Sequence, residues 1–271
     1  MVAVVSVGFV PDSARTKSPG VMRLDDLARY LDEYLRVREV VDDKNALNGL
    51  QVENAGTVSH LAAAVDACQA TIDAAAERGA DLLLVHHGLF WGGLEPLTGR
   101  AFRRTSALLR HGLAVYAAHL PLDRHPEVGN NAVLARKLGM EVLGYFGDYL
   151  GAPIGVLGEL DVPRELMRDL VGRALGVEPR LLSCGPERCH RVGIMTGAAG
   201  SHIRQARDAG LDTFITGEGQ HWTYFDAEEY GVNVVYAGHY ATETLGVQAL
   251  AAHLSERFQL PWSFIDHPTG L

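Results

Sequence analysis

Apolar and polar positions along this chain follow two periods. Residues 23–37 (RLDDLARYLDEYLRV) carry apolar side chains at helical spacing behind an Asp-rich first turn, which predicts a surface helix. Unbroken apolar runs at AAAVDA (62–67), DLLLVH (81–86) and LAVYAAH (113–119) predict buried strands, with helical patterns at 69–79 and 101–111 between them. IGVLGEL (154–160) reads as a strand and PRELMRDLVGRAL (163–175) as a helix with Pro in its first turn. A second series follows: RVGIMTG (191–197), a helix to Ala209, DTFITG (212–217), a helix over 220–230, VNVVYAGH (232–239) and a long helix over 241–257. Such alternation predicts an α/β fold in which helices pack on largely parallel strands. Residues 1–22 read as a loose extension; the opening MVAVVSVGFVP lacks the basic segment of a secretory signal.

The two series resemble each other. AAAERGADLLLVHHG (74–88) lies over RQARDAGLDTFITGEG (204–219), matching Gly79 to Gly210 and Asp81 to Asp212. HGLAVYAAHLPLD (111–123) lies over YGVNVVYAGHYATE (230–243), pairing Val115, Tyr116 and Ala117 with Val235, Tyr236 and Ala237. His119 then meets His239, and Asp123 meets Glu243. A duplicated unit is expected from this, with corresponding strand ends facing one another across a cleft.

Composition narrows the function classes. At 271 residues, 47% hydrophobic, 21% charged and with mean hydropathy near zero, the chain is suited to a substantial core and has no apolar run long enough to cross a bilayer. A formal charge of −9 argues against a nucleic-acid grip built on clustered Lys and Arg. Three scattered cysteines suggest a reducing compartment, and a cytoplasmic location is expected.

Candidate chemistry gathers where the apolar runs stop. His86 and His87 end one run, and because neighbouring side chains on a regular strand point to opposite faces, they are expected to diverge just past its end. Such a pair suits two metal ions ~4 Å apart, one imidazole to each. HYATE sets His239 and Glu243 four apart, and HLPLD sets Asp123 at the end of the matching run. Imidazole and carboxylate donors together suit Zn, Mn, Fe or Co without choosing among them.

The motifs NALNGLQVEN (45–54), VHHGLFW (85–91), HLPLDRHPEVGNNAVLA (119–135), TGEGQHW (216–222) and AGHYATE (237–243) resemble the Nif-three-like dinuclear metal-centre proteins, the type 2 homologs of GTP cyclohydrolase I, over residues 23 to 268. The resemblance implies a divalent metal pair held by His86, His87, Asp123, His239 and Glu243, with Asp123 or Glu243 bridging. His119 would support the ligands without being one. Also implied are two intertwined α/β lobes, 23–124 plus 238–271 and 125–237, with the metal cleft between them, and a ring-shaped homohexamer. TGAAGS (196–201) carries less glycine than close bacterial relatives have there, and the insert that separates the lobes of longer relatives is missing.

Glu218 and His221 align with the HHG position and are candidate catalytic proton carriers. Asn48, Gln51 and Asn130 are candidates for orienting ligands or satisfying loop backbone. Cys184, Cys189 and His190 fit no usual zinc spacing. Two functions follow as expectations: metal-assisted hydrolysis of a small molecule such as GTP or a related nucleotide or heterocycle, and a metal-binding scaffold or regulatory partner without turnover.

Overall fold

A computed structural model describes residues 20–270. Nineteen residues of the expected N-terminal extension lie outside the described residues. At its end, Met22 is not loose: β1 (Met22–Arg23) pairs antiparallel with β3 (Thr57–Val58), and the Met22 side chain is buried.

The first lobe is a five-stranded sheet. Its centre is three parallel strands, β4 (Leu61–Asp66), β5 (Leu82–His87) and β6 (Ala114–Ala117). β13 (Trp262–Phe264) adds parallel to β4, and β2 (Gly49–Val52) adds antiparallel to β6. The central strands read as continuous apolar runs because both faces are covered. Leu61, Ala63, Leu82, Leu84 and Tyr116 meet the buried leucines of α1 (Leu24–Tyr34). Their neighbours Ala62, Ala64, Leu83, Val85 and Val115 pack on Ile72 and Ala75 of α2 (Gln69–Glu77) and Leu108 of α3 (Gly99–His111).

The second lobe repeats that centre. β10 (Arg188–Met195), β11 (Thr213–Thr216) and β12 (Asn233–Tyr236) run parallel. β9 (Arg180–Leu182) lies antiparallel to β12, and β8 (Ala152–Pro163) antiparallel to β10 with β7 (Glu141–Tyr149) outside it. One face packs α5 (Asn130–Leu138) and α6 (Arg164–Leu175); the other packs α7 (Ile203–Asp208) and α8 (Thr223–Tyr230).

One helix belongs to both cores. α9 (His239–Phe258) places Leu250, Ala251 and Leu254 against the first sheet and Leu245 in the core of the second. Among the described residues no helix is long and apolar enough to cross a membrane.

The ladders refine the internal repeat. Asp81 and Asp212 are true counterparts: Asp81 Oδ2 accepts the Ser59 and His60 amides, and Asp212 Oδ2 accepts those of His190 and Arg191. From there Val85 pairs with Ala117, whereas Thr216 pairs with Tyr236. Ala117 therefore corresponds to Tyr236, not Ala237, and Tyr116 corresponds to Val235. The pairing by sequence slips one residue inside the strand, which would turn every side chain to the wrong face. Gly238, at φ +89°, absorbs the extra residue before His239.

Candidate metal centre

His86 and His87 are both still within β5, so the expected escape past its end does not occur. They part sideways instead. His86 Nδ1 donates to the Ala118 carbonyl beyond β6 at 2.9 Å, while His87 Nδ1 is held at 2.9 Å by Asp66 Oδ1 at the end of β4. Their ring centres stay 4.7 Å apart. Beyond β6 a single turn, α4 (Leu120–Asp123), delivers Asp123, whose Oδ1 accepts the Asn130 amide at 2.8 Å. That bond leaves Oδ2 facing His86 Nε2 at 3.5 Å.

α9 starts at His239, so His239 and Glu243 share a face across its first turn. Glu243 is buried and faces three imidazoles. Its Oε1 lies 3.6 Å from His86 Nε2, and its Oε2 lies 3.6 Å from His87 Nε2 and 3.2 Å from His239 Nε2. The chain leaves no space behind this carboxylate: Gly197, at φ +70°, sits where a Cβ would collide with Glu243 Oε1. Asp123, His86, His87, His239 and Glu243 thus converge from three strand ends, those of β5, β6 and β12.

Two acids that the sequence reading passed over complete the surround. Asp66 holds His87, and Asp42 holds His119 Nδ1 at 2.8 Å while its Oδ2 accepts the Leu120 amide and the Asn48 side chain. Asn48 Oδ1 in turn accepts the His119 amide. Glu218 performs the same service for His239, at 2.7 Å from Nδ1. A carboxylate at Nδ1 fixes the ring and directs Nε2, as an unprotonated donor, toward a cation. Gln51 orders the loop after His87 by accepting the Leu89 amide. His221 is not brought in: beyond Gly219 the chain turns outward, and the ring is exposed, edge-on to Phe225. Cys189 is buried in the second-lobe core and gathers no metal-binding group with Cys184 or His190 among the described residues.

Electrostatics mark the same point. Burial alone would lower the His86 imidazole, but the Asp123 and Glu243 carboxylates override it and push it up to about 10. His239 is raised to about 9, chiefly by the Glu243 carboxylate facing its Nε2, against burial. Burial would raise the Glu243 carboxyl, yet the facing imidazoles hold it well below the usual range. A pocket that binds protons this avidly has the field for a cation. Two atoms within it, His86 Nε2 and Glu243 Oε2, are buried without any hydrogen-bond partner. Donor atoms of His86, His87 and His119 lie within 4.8 Å of one another, as do those of His87, His239 and Glu243. These residues fit a metal, and His119 fits as a direct donor as well as a support.

The centre opens into a cleft of 440 Å³ walled by Trp91, Leu120, Ile154, Met195, Glu218 and Tyr240. Trp91 stands edge-on to His119 and tilted against His87, at 4.5 and 5.0 Å between ring centres.

Comparison with known proteins agrees over nearly the whole chain. A GTP cyclohydrolase 1 type 2 homolog of Deinococcus radiodurans is 46% identical over 256 residues, covering 93% of this chain and 96% of that protein. The solved structure of TTHA1606 from Thermus thermophilus superposes with a TM-score of 0.84 at 44% identity, over 92% of this chain and all of that one. Protein ybgI, solved by structural genomics and described as of unknown function, superposes at 0.86 with 39% identity over the same shares. The profile of the Duf34/NIF3 (NGG1p interacting factor 3) family matches residues 22–269, and the chain belongs to that family.

Proposed function

We propose that this protein is a metal-dependent hydrolase whose centre holds two divalent cations and acts on a nucleotide or related heterocycle. The observation that carries the reading is the pair of buried, unpartnered atoms, His86 Nε2 and Glu243 Oε2, inside a ring of imidazoles. Leaving such groups unsatisfied costs ~1–3 kcal/mol each, more for a charge, so a ligand is called for. The two donor sets, His86, His87 and His119 and His87, His239 and Glu243, overlap at His87 and support two adjacent cation positions. His86, His87, Asp123, His239 and Glu243 would hold the ions in this reading, and Glu243 would serve both, because each of its oxygens faces a different imidazole. Asp123 is less free to bridge, having one oxygen committed to Asn130. When bound, such ions supply Lewis acidity that eases deprotonation of water and polarises the bond to be cleaved.

The chain's own groups do the rest. Asp42, Asp66 and Glu218 keep three rings in one tautomer. Glu218 lines the cleft and its second oxygen makes no hydrogen bond among the described residues, which suits it to hold and release a proton. Trp91, Ile154 and Met195 give the cleft an apolar lining. The name shared by the curated relatives supports a nucleotide-like substrate. Exposed Leu143, Tyr145 and Leu150 around the edge hairpin of β7 and β8 support self-association, the homohexamer included.

Elemental analysis of protein purified without added metal tests the centre. The expected result is about two transition-metal ions per chain, a content lost in Glu243→Gln, with hydrolysis of a nucleotide panel abolished by chelator and restored by metal. A wild-type chain that stays metal-free in divalent salts would overturn the reading.

A further inference from the structure

A second cleft of 430 Å³ adjoins the first, sharing Asp66, His87, Trp91 and Thr269 with it. Its far wall carries Arg100 and Arg104 of α3, one helical turn apart and so on one face. Arg100 leans over the glycine turn, its Nη2 3.5 Å from the Cβ position of Gly92 and 3.4 Å from Glu95 Oε2. That ion pair is largely exposed, and such pairs are weak and readily exchanged. Arg104 is half-buried and makes no hydrogen bond or ion pair among the described residues. On a chain of net charge −9, a half-buried guanidinium that has not recruited a carboxylate is unusual. Arg103 and Arg110 of the same helix are exposed and need no partner but water.

We propose that Arg100 and Arg104 form an anion subsite that receives the phosphate of a nucleotide whose reacting part lies at His87 and Glu243. This deepens the hydrolase reading and rests on it for the second half of the statement. Two guanidinium forks offer paired N–H donors matched to phosphate oxygens. Trp91, 39% exposed where the two clefts meet, offers an indole surface between the anion and the metal centre.

Calorimetric titration of the metal-loaded protein with GTP, guanosine and inorganic phosphate tests the subsite, with metal content measured on the same samples. The variants are Arg100→Gln, Arg104→Gln, the double variant, and Arg110→Gln as a control on the same helix. Expected is a roughly tenfold weaker GTP affinity for each cleft arginine removed, unchanged guanosine affinity and unchanged metal content, and no effect of Arg110→Gln. Unaltered GTP affinity in a folded double variant would overturn the subsite. So would loss confined to inorganic phosphate, which would make this a free-anion site, or an equal loss for guanosine. Absence of metal from the wild type would instead strike the hydrolase reading, while the arginine dependence of GTP binding would still be readable.

Discussion

The two sheets present the same strand ends to the cleft and use them differently. After β6 and after β12 the chain does the same thing twice: an imidazole held at Nδ1 by a carboxylate (His119 by Asp42, His239 by Glu218), then an acid four residues on (Asp123, Glu243). At the ends of β5 and β11 the two halves part. The first ends in His86 and His87, the second in Gly217 and Glu218. A Cβ at Gly217 would stand 2.6 Å from the Gly197 carbonyl and 2.8 Å from His239 Cα, so this strand end packs closely beneath the centre instead of donating to it. The matching strand ends thus form a symmetric frame, in which the end of β11 gives close support where the end of β5 supplies histidines. The acids differ too: Asp123 sits on a four-residue turn braced by Asn130, whereas Glu243 sits in a twenty-residue helix embedded in both cores.

If that difference matters, the two acids are unequal. Glu243→Gln removes the charge that faces three imidazoles and is expected to eliminate bound metal and turnover. Asp123→Asn, losing a charge that faces only His86, is expected to leave one ion and weaken the other by more than the ~10–100-fold typical of outer partners. Metal stoichiometry by elemental analysis separates the two; equal losses would remove the distinction between the acids.

The matched outer carboxylates give a second contrast. Asp42→Asn and Glu218→Gln should each cost ~10–100-fold in metal affinity, read by competition with a chromogenic chelator. Glu218→Gln is expected to lower kcat further than its metal loss explains, since Glu218 alone of the two lines the cleft. Matching kcat losses in both variants at saturating metal would reduce Glu218 to a brace.

Much of this frame was readable in the chain, for physical reasons that also explain what was not. Strands covered on both faces announce themselves as unbroken apolar runs, so β4, β5, β6, β11 and β12 were legible to within a few residues. β7 was not, because it is an outer strand with most of its side chains exposed. The helix expected over 23–37 stops at Tyr34, and Arg36 at φ +52° turns the chain where the apolar pattern alone continues. The converging side chains were legible because their motifs are contiguous: HH, HLPLD, HYATE. Asp42 and Asp66 act through a single bond to a ring distant in sequence, and nothing in the neighbourhood of Asp42 marks it. Asp66 had one signal, an acid closing an apolar run beside the equally placed His87. The one-residue slip in the repeat arose because a shared Tyr-Ala pair outweighed a ladder that the sequence does not display.

Glycines test the supporting role of the second half. Gly217→Ala and Gly197→Ala should each destabilise by about 1–3 kcal/mol, Gly197→Ala through its left-handed backbone as well as its approach to Glu243. Chemical denaturation of metal-free protein measures this without the contribution of bound ions. Alanine tolerated at Gly217 without cost would mean that close packing at this strand end is incidental.

The smallest expected effect concerns an imidazole on the opposite wall. His86 and His239 face carboxylates and are raised, whereas His202 lines the cleft from the second lobe and is lowered from 6.5, chiefly by burial, with backbone bonds at Ala199 and Asp148 opposing. A histidine whose folded value is depressed binds fewer protons than it does unfolded. Its contribution to stability is therefore intact above about 6.5 and declines as pH falls from there through the folded value. His202→Gln cannot take up the proton, so the difference in melting temperature between wild type and variant should shift in the variant's favour as pH falls below 6.5. A difference that stays constant from neutral pH into acid would place His202 in contact with solvent and remove this contrast between the walls.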